Sequence, residues 1–421
     1  MTLHPQDLTG FDATPLGAAP PPAPPRRFSI WEITSWILPM APEHLRRVLA
    51  AHPDLPQGQA GVEGATRWFS AADLATLRAH FASTSRRDRW QPRRPAGVQA
   101  PLITLAQPLG AVGRSRATLT LAVGAALAGW RVLVIEADPA GHLAETLAPD
   151  NGPEPVGDGV LSLLARDAAL SLRRLNEGRF HRGEVPLPVD DLLARAQTLR
   201  PRDLIRSSRW PGLDLLAPGP DGLALADLRL GDWRQMQRGW QPWGVLAGAL
   251  NDGLRDRYDL IFCDPGRGLG PLALSMLASA DVLLSPLPQT GAAGLRQGLG
   301  QLGAAIEMIQ SEARMTARAL GQPAPDMGWR SLAVLAMGAG SPALPAGFAA
   351  KPGVHLLPAA LPDSPGGASH LYDIDYRSLG RLAYAPLRAG TEAALAGLMA
   401  HLAGLWDQDV TLQGQFLLSS P

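Results

Sequence analysis

The sequence predicts an α/β protein with a mostly parallel, doubly wound sheet, preceded by a small helical domain. Three observations carry this. Short apolar runs at Leu102–Ala106, Val132–Ile135, Leu260–Cys263 and Val282–Leu284 are bounded by turn residues, as in strands buried on both faces. Between the first two lie a glycine turn and a helical segment from about Arg116 to Gly129, which makes one βαβ unit with both strands in one parallel sheet. Ahead of these, residues 26–82 change to short helix-period segments with proline and serine starts.

Whole-chain properties set the bounds. A length of 421 residues allows two or three domains. Formal net charge is zero, so overall balance announces neither a nucleic-acid nor a membrane partner. Lys351 is the one lysine among the 38 basic residues. Cys263 cannot form an internal disulfide and lies in an apolar run, which favours an inert buried thiol. No apolar stretch reaches the ~18 residues of a membrane span. No basic and apolar leader is visible at the start, so a cytoplasmic location is expected.

In chain order, residues 1–25 are rich in proline and alanine and read as a disordered tail. Phe28–Ile37, Pro42–Ala51 and Ser70–Phe81 read as three helices, the last opened by a Ser70–Asp73 cap. A glycine-rich reach, Gln57–Thr66, separates the second and third and ends in Arg67-Trp68-Phe69. Residues 83–100 carry five arginines among proline and glutamine and read as a basic linker. Leu161–Leu175 and Leu187–Leu199 are helix candidates, and Pro211–Pro218 holds a short buried strand. Trp233, Trp240 and Trp243 are expected in a core or a subunit contact. Gly294–Ile309 and Thr391–Leu405 read as helices and Ser331–Met337 as a strand. The sheet domain spans 101–408, and 409–421 form a tail.

The glycine turn Leu109-Gly110-Ala111-Val112-Gly113-Arg114-Ser115 resembles the deviant Walker A loop (KGGxGK[ST]) of ParA/MinD-type P-loop ATPases. Gly110, Gly113 and the Ser115 hydroxyl match. Leu109 and Arg114 stand where that family has lysines, and Ala111 where it has glycine. Further along, Glu136-Ala-Asp138-Pro139 resembles the family's DxDPQ, with Ala140 in place of glutamine. Tyr258-Asp-Leu-Ile-Phe-Cys-Asp264 has the shape of a Walker B strand. Leu371-Tyr-Asp-Ile-Asp-Tyr-Arg377 resembles a stretch before the C-terminal helices of RepA-type proteins. Residues 26–82 resemble the MerR-like winged helix-turn-helix that precedes the ATPase in RepA-type and some ParA-type partition proteins.

The resemblance implies a site and a function. Gly110, Ala111, Val112, Gly113, Arg114, Ser115 and Arg116 would cradle ATP, with Arg114 or Arg116 in place of the absent lysines. Ser115 and Asp264 would meet Mg²⁺, and Asp138 would position water for hydrolysis. Arg46 and Arg47 on a recognition helix, Arg67 on a wing, and Arg377, Arg381 and Arg388 near the C-terminus would bind DNA. The family further implies a homodimer, a ParB/RepB-like partner and a nucleoid-associated life without a membrane. Loss of both lysines removes charge where phosphoryl transfer is electrostatic, so turnover is expected to be slow or absent. Three readings stay open: a plasmid or chromosome partition protein, a non-catalytic DNA-binding regulator or scaffold, and a metabolic P-loop enzyme, which the leading winged helix disfavours. On charge alone, an ordinary solvated face is the better reading of Arg46 and Arg47, and only the domain order puts DNA binding ahead; a loop without lysine is by itself a plain turn.

Overall fold

The computed structural model describes residues 26–418 apart from 62–63, 86–87, 107–112, 139–140, 149–158, 219–225, 238, 267, 289–291, 322–328 and 339–352. It holds two sheets.

The small N-terminal sheet comprises β1 (Arg27–Ser29), β2 (Gln59–Gly61) and β3 (Gly64–Ser70), antiparallel in the order β1-β3-β2. The helix expected over Phe28–Ile37 is corrected here. Arg27, Phe28 and Ser29 pair with Ser70, Phe69 and Trp68 as a strand, and helical structure starts only at Ile30. The cause is a capping box: the Ser29 hydroxyl accepts from the Glu32 N–H at 3.3 Å, while Glu32 accepts from the Ser29 N–H at 3.1 Å. Helix Pro42–Ala51 opens on its proline, and helix Ala71–Thr84 opens on the reciprocal Ser70–Asp73 pair at 3.1 and 2.8 Å.

The large sheet comprises β4 (Leu102–Leu105), β5 (Val132–Glu136), β6 (Arg206–Ser207), β7 (Leu213–Leu216), β8 (Leu260–Asp264), β9 (Val282–Pro288), β10 (Ser331–Met337) and β11 (Val354–Leu356). Their order is β11-β10-β9-β4-β8-β5-β7-β6, all parallel except the antiparallel edge strand β6. The two strands of the opening βαβ unit share this sheet with β8 inserted between them. Alternate residues feed opposite faces. Ile103, Leu105, Val132 and Phe262 join one core with helix Arg114–Ala128 and the C-terminal helix, and Leu102, Leu133, Ile261 and Cys263 join another with helix Gly159–His181. Each fully buried aliphatic side chain contributes about 2 kcal/mol. Trp233, Trp240 and Trp243 are all buried, in core positions.

Three further expectations change. Residues 88–100, within the expected linker, are packed rather than solvated: Trp90 and Val98 are buried, Arg94 donates to the Tyr258 carbonyl at 3.1 Å, and Arg93 faces Asp259 at 3.8 Å. The last helix runs from Arg381 to Leu418, so it begins earlier than expected and continues through the expected tail. Its internal Pro386 is tolerated because the residue four before it, Leu382, is 96% exposed and its carbonyl can turn to water. The helix candidate Leu187–Leu199 shortens to Asp191–Ala196 behind an Asp190 cap.

The N-terminal sheet and helices are not a separate bead. Phe28, Ile33, Leu45 and Phe69 belong to the same core cluster as Ile103 and Val134. Arg78, 7% exposed, donates to the carbonyls of Trp90 (2.9 Å), Ile37 (2.6 Å) and Leu127. It therefore ties the head to the end of helix Arg114–Ala128, and burial lowers its pKa to about 10.

Candidate nucleotide centre and basic groove

The carboxyl ends of β4, β5 and β8 meet at one rim, where open α/β sheets bind ligands. Register sets the geometry: Glu136 lies directly across from Asp264, and the Ala137 N–H donates to the Asp264 carbonyl at 2.8 Å. Asp138, two residues past Glu136, thereby faces the start of helix Arg114–Ala128. That helix is capped by Gly113 at φ +100°, a conformation that favours glycine.

The structure brings Arg114, Ser115, Asp138 and Asp264 together. Arg114 Nε donates to Asp264 Oδ1 at 2.5 Å, and Nη2 reaches Asp138 Oδ2 at 3.3 Å. Ser115 Oγ donates to the other Asp264 oxygen at 2.6 Å, and the Gly266 N–H adds a bond to Oδ1 at 3.3 Å. Asp264 is fully buried and Arg114 is 4% exposed. Arg116 is drawn aside to Asp363 at 2.6 Å, away from the role of lysine substitute. Gly110, Ala111 and Val112 lie outside the described residues.

Glu136, which stands at the first acid of the DxDPQ-like motif, has a local structural job. Its carboxylate accepts from the N–H groups of Leu143 (2.8 Å) and Ala144 (2.7 Å) and so anchors the helix that starts at His142. Burial pushes its pKa up to about 7, against those two hydrogen bonds and with help from the neighbouring Asp264 and Asp138 charges. Cys263 is fully buried, and its thiol pKa is raised, chiefly by that burial.

Mg²⁺ requires hard oxygen ligands in near-octahedral geometry. Ser115 and Asp264 are the right kinds of donor and are adjacent. In the observed arrangement, however, both Asp264 oxygens face protein donors and a guanidinium covers the carboxylate pair. Among the described residues no group of three or more His, Cys, Asp or Glu is arranged to hold a metal ion. As arranged, these residues do not fit Mg²⁺.

Three of the six arginines expected to bind DNA collect at a second place. A groove of about 600 Å³ between the head and the C-terminal helix is lined by Arg46, Arg67 and Arg381, together with Trp31 and Tyr376. Arg381 lies over Trp31 at 4.8 Å, and Arg377 lies over Trp68 at 4.2 Å. Arg46, Arg47, Arg67, Arg377 and Arg381 are all exposed. Arg388 is a correction: it is 1% exposed, pairs with Glu392 at 2.8 Å, and stacks on Tyr372, so it cannot reach a phosphate. The LYDIDYR stretch is mostly a seam, with Leu371, Ile374 and Tyr376 buried against Trp31, Trp36 and Trp68.

Sequence reading missed the structural load on Arg78. A signal existed: Leu74, Leu77, Arg78 and Phe81 share the buried face of one helix, an unusual place for a cation. Nothing in the sequence pointed to Asp363 as the partner of Arg116.

The comparisons agree with this fold. A replication protein A of Rhizobium rhizogenes is 24% identical over 261 residues, 61% of this chain and 56% of that protein. Protein SopA of Escherichia coli K12 is 30% identical over 200 residues, 47% of this chain and 43% of SopA. The chain thus spans about half the length of the curated relatives it matches. A solved structure of a partition protein covers 90% of this chain and 92% of its own, with a TM-score of 0.53 and 14% identity. No protein-family model matches. Among the described residues, no helix is long and apolar enough to cross a membrane. By sequence the chain is similar to RepA and SopA replication and partition proteins over part of its length, and its fold is that of a solved partition protein.

Proposed function

We propose that this chain is a DNA-partition protein of the ParA/RepA type, which binds DNA through the groove between its head and its C-terminal helix. One observation carries the reading: Arg46 on a head helix, Arg67 on the β2–β3 hairpin and Arg381 on the C-terminal helix line one groove, although they are far apart in sequence. Guanidinium groups so placed neutralise phosphates. The helix Pro42–Ala51 is the element that reads base edges, and Arg47 and Arg377 extend the basic surface. The homodimer, a ParB/RepB-like partner and a nucleoid-associated location belong to the same proposal.

A second reading is favoured by a specific contact. Arg114 covers Asp264 and Asp138, and no lysine stands in the described part of the loop. A nucleotide held there lacks the ammonium that stabilises the transferring phosphoryl group, an interaction of about 3–4 kcal/mol in comparable settings. We therefore assign DNA binding without appreciable ATP turnover, as in a regulator or scaffold of the same lineage. The test is a pair of measurements on the purified chain: a duplex shift assay, and ATP hydrolysis with DNA and the cognate partner added. Binding without turnover is the expected result. Absence of DNA binding at low salt overturns the first reading. Brisk hydrolysis overturns the second.

A further inference from the structure

We propose that the Arg114 guanidinium is the resident cation of the nucleotide centre, held where a divalent metal would sit, so that this centre works without metal. The inference deepens the non-catalytic reading above and rests on it. It does not depend on DNA binding.

The argument begins with charge. Asp264 is fully buried and Asp138 is 9% exposed, so two carboxylates share a nearly dry rim. Such a pair needs a cation close by, or one carboxylate must take up a proton. A divalent ion is the usual answer on a phosphate-binding sheet edge. Here the Arg114 side chain brings a charge to both carboxylates. Nε takes Asp264 and Nη2 takes Asp138, at 2.5 and 3.3 Å. A planar fork can bridge two separated carboxylates in this way, whereas lysine offers one point charge.

The bridge is also fixed in place. Arg114 is the first residue of its helix, and its carbonyl accepts from Thr118 Oγ1 at 3.1 Å. Both Arg114 and Ser115, which reach the carboxylates, lie in the first turn of that helix, where its dipole favours negative charge. Ser115, the other hard-ligand candidate, is already spent on Asp264 at 2.6 Å. The centre is therefore electrostatically satisfied by the polypeptide alone, and a metal entering it must displace a buried, tethered guanidinium.

The test uses the full-length chain and Mn²⁺ as the probe, read by electron paramagnetic resonance and by thermal melting. Wild type should fill no Mn²⁺ site up to about 1 mM. The variant Arg114→Gln removes the charge and keeps a shorter, hydrogen-bonding side chain. It should melt lower than wild type in EDTA and gain one Mn²⁺ site. Its Tm should then rise by about 3–4 °C in Mn²⁺ at a hundredfold excess over Kd, against no rise for wild type. If Arg114→Gln does not fold, the double variant Arg114→Gln with Asp264→Asn removes the uncompensated carboxylate. It should fold and bind no Mn²⁺. Stoichiometric Mn²⁺ binding by wild type that Asp264→Asn abolishes would overturn the proposal. So would a single variant that melts like wild type and binds no Mn²⁺, or a double variant no better folded than the single one. None of these readouts involves ATP hydrolysis or DNA, so failure here is distinguishable from failure of the non-catalytic reading and of the groove assignment.

Discussion

Replacing Arg46, Arg67 and Arg381 together by alanine should weaken DNA binding in a salt-dependent way whose size the groove predicts. Each phosphate contact contributes about 0.9 to the slope of log K against log salt. Three lost contacts reduce the slope by about 2.7, equivalent to roughly 500-fold weaker binding at 0.1 M salt, nearly uniformly across sequences. Stability should hardly change. All three residues are exposed, and the Arg46–Glu43 pair at 3.2 Å is a surface bridge of ~1 kcal/mol at most. Arg381 gives up its contact with Trp31, worth about 0.5–1 kcal/mol. Fluorescence anisotropy on a duplex of about 30 base pairs, at four or five KCl concentrations, measures both affinity and slope. An affinity loss with unchanged slope means that the arginines do not meet phosphates. An unchanged affinity removes the groove from the DNA-binding surface altogether.

Four other outcomes are expected. Arg78→Met strips three buried carbonyls of their charged donor and should cost about 3–5 kcal/mol in urea unfolding, with head and sheet probes no longer coincident; a loss under 1 kcal/mol contradicts the staple. Glu136 holds its proton more tightly folded than unfolded, so stability should fall as pH rises from about 4.5 to 7, by up to roughly 3 kcal/mol, and Glu136→Gln should remove that slope. Identical pH profiles for the two proteins would count against its buried setting. A Gly→Ala change ordinarily strengthens a helix by about 1 kcal/mol, yet at Gly124 the new methyl carbon would clash with Tyr372 Oη, so a lower Tm is expected for Gly124→Ala and a higher one refutes the packing. Arg388→Ala should destabilise the seam between the last helix and Trp36 without altering the salt slope of DNA binding, whereas a changed slope would return Arg388 to the DNA surface.

Strand identity was legible because β4, β5, β8, β9 and β10 are buried on both faces, and continuous apolar runs between turn residues have few other homes. The gathering of Ser115, Asp138 and Asp264 followed from chain order, since loops after parallel strands emerge on one edge. Apolar spacing over Phe28–Ile37 predicts a helix, whereas the structure's Ser29–Glu32 cap delays it and leaves Arg27–Ser29 as β1. Pro386 and the glycine at 390 hid the start of the last helix. The direction of a side chain was beyond reach: Arg377, Arg381 and Arg388 share one stretch of sequence, yet two face solvent and one is buried.

The amino-acid order by itself determined the winding of the sheet, the position of the glycine turn and the set of charged groups at its rim, because hydrophobic periodicity and turn chemistry are local properties. Only the tertiary structure decided what those charges do. Arg114 turns onto Asp264 and Asp138, Arg116 onto Asp363, and Arg78 into a helix end, each partner lying distant in sequence. A guanidinium's partner is chosen by which carboxylates and carbonyls the packed chain leaves within a few ångströms and away from water, and that is settled only when the sheet and head close on each other.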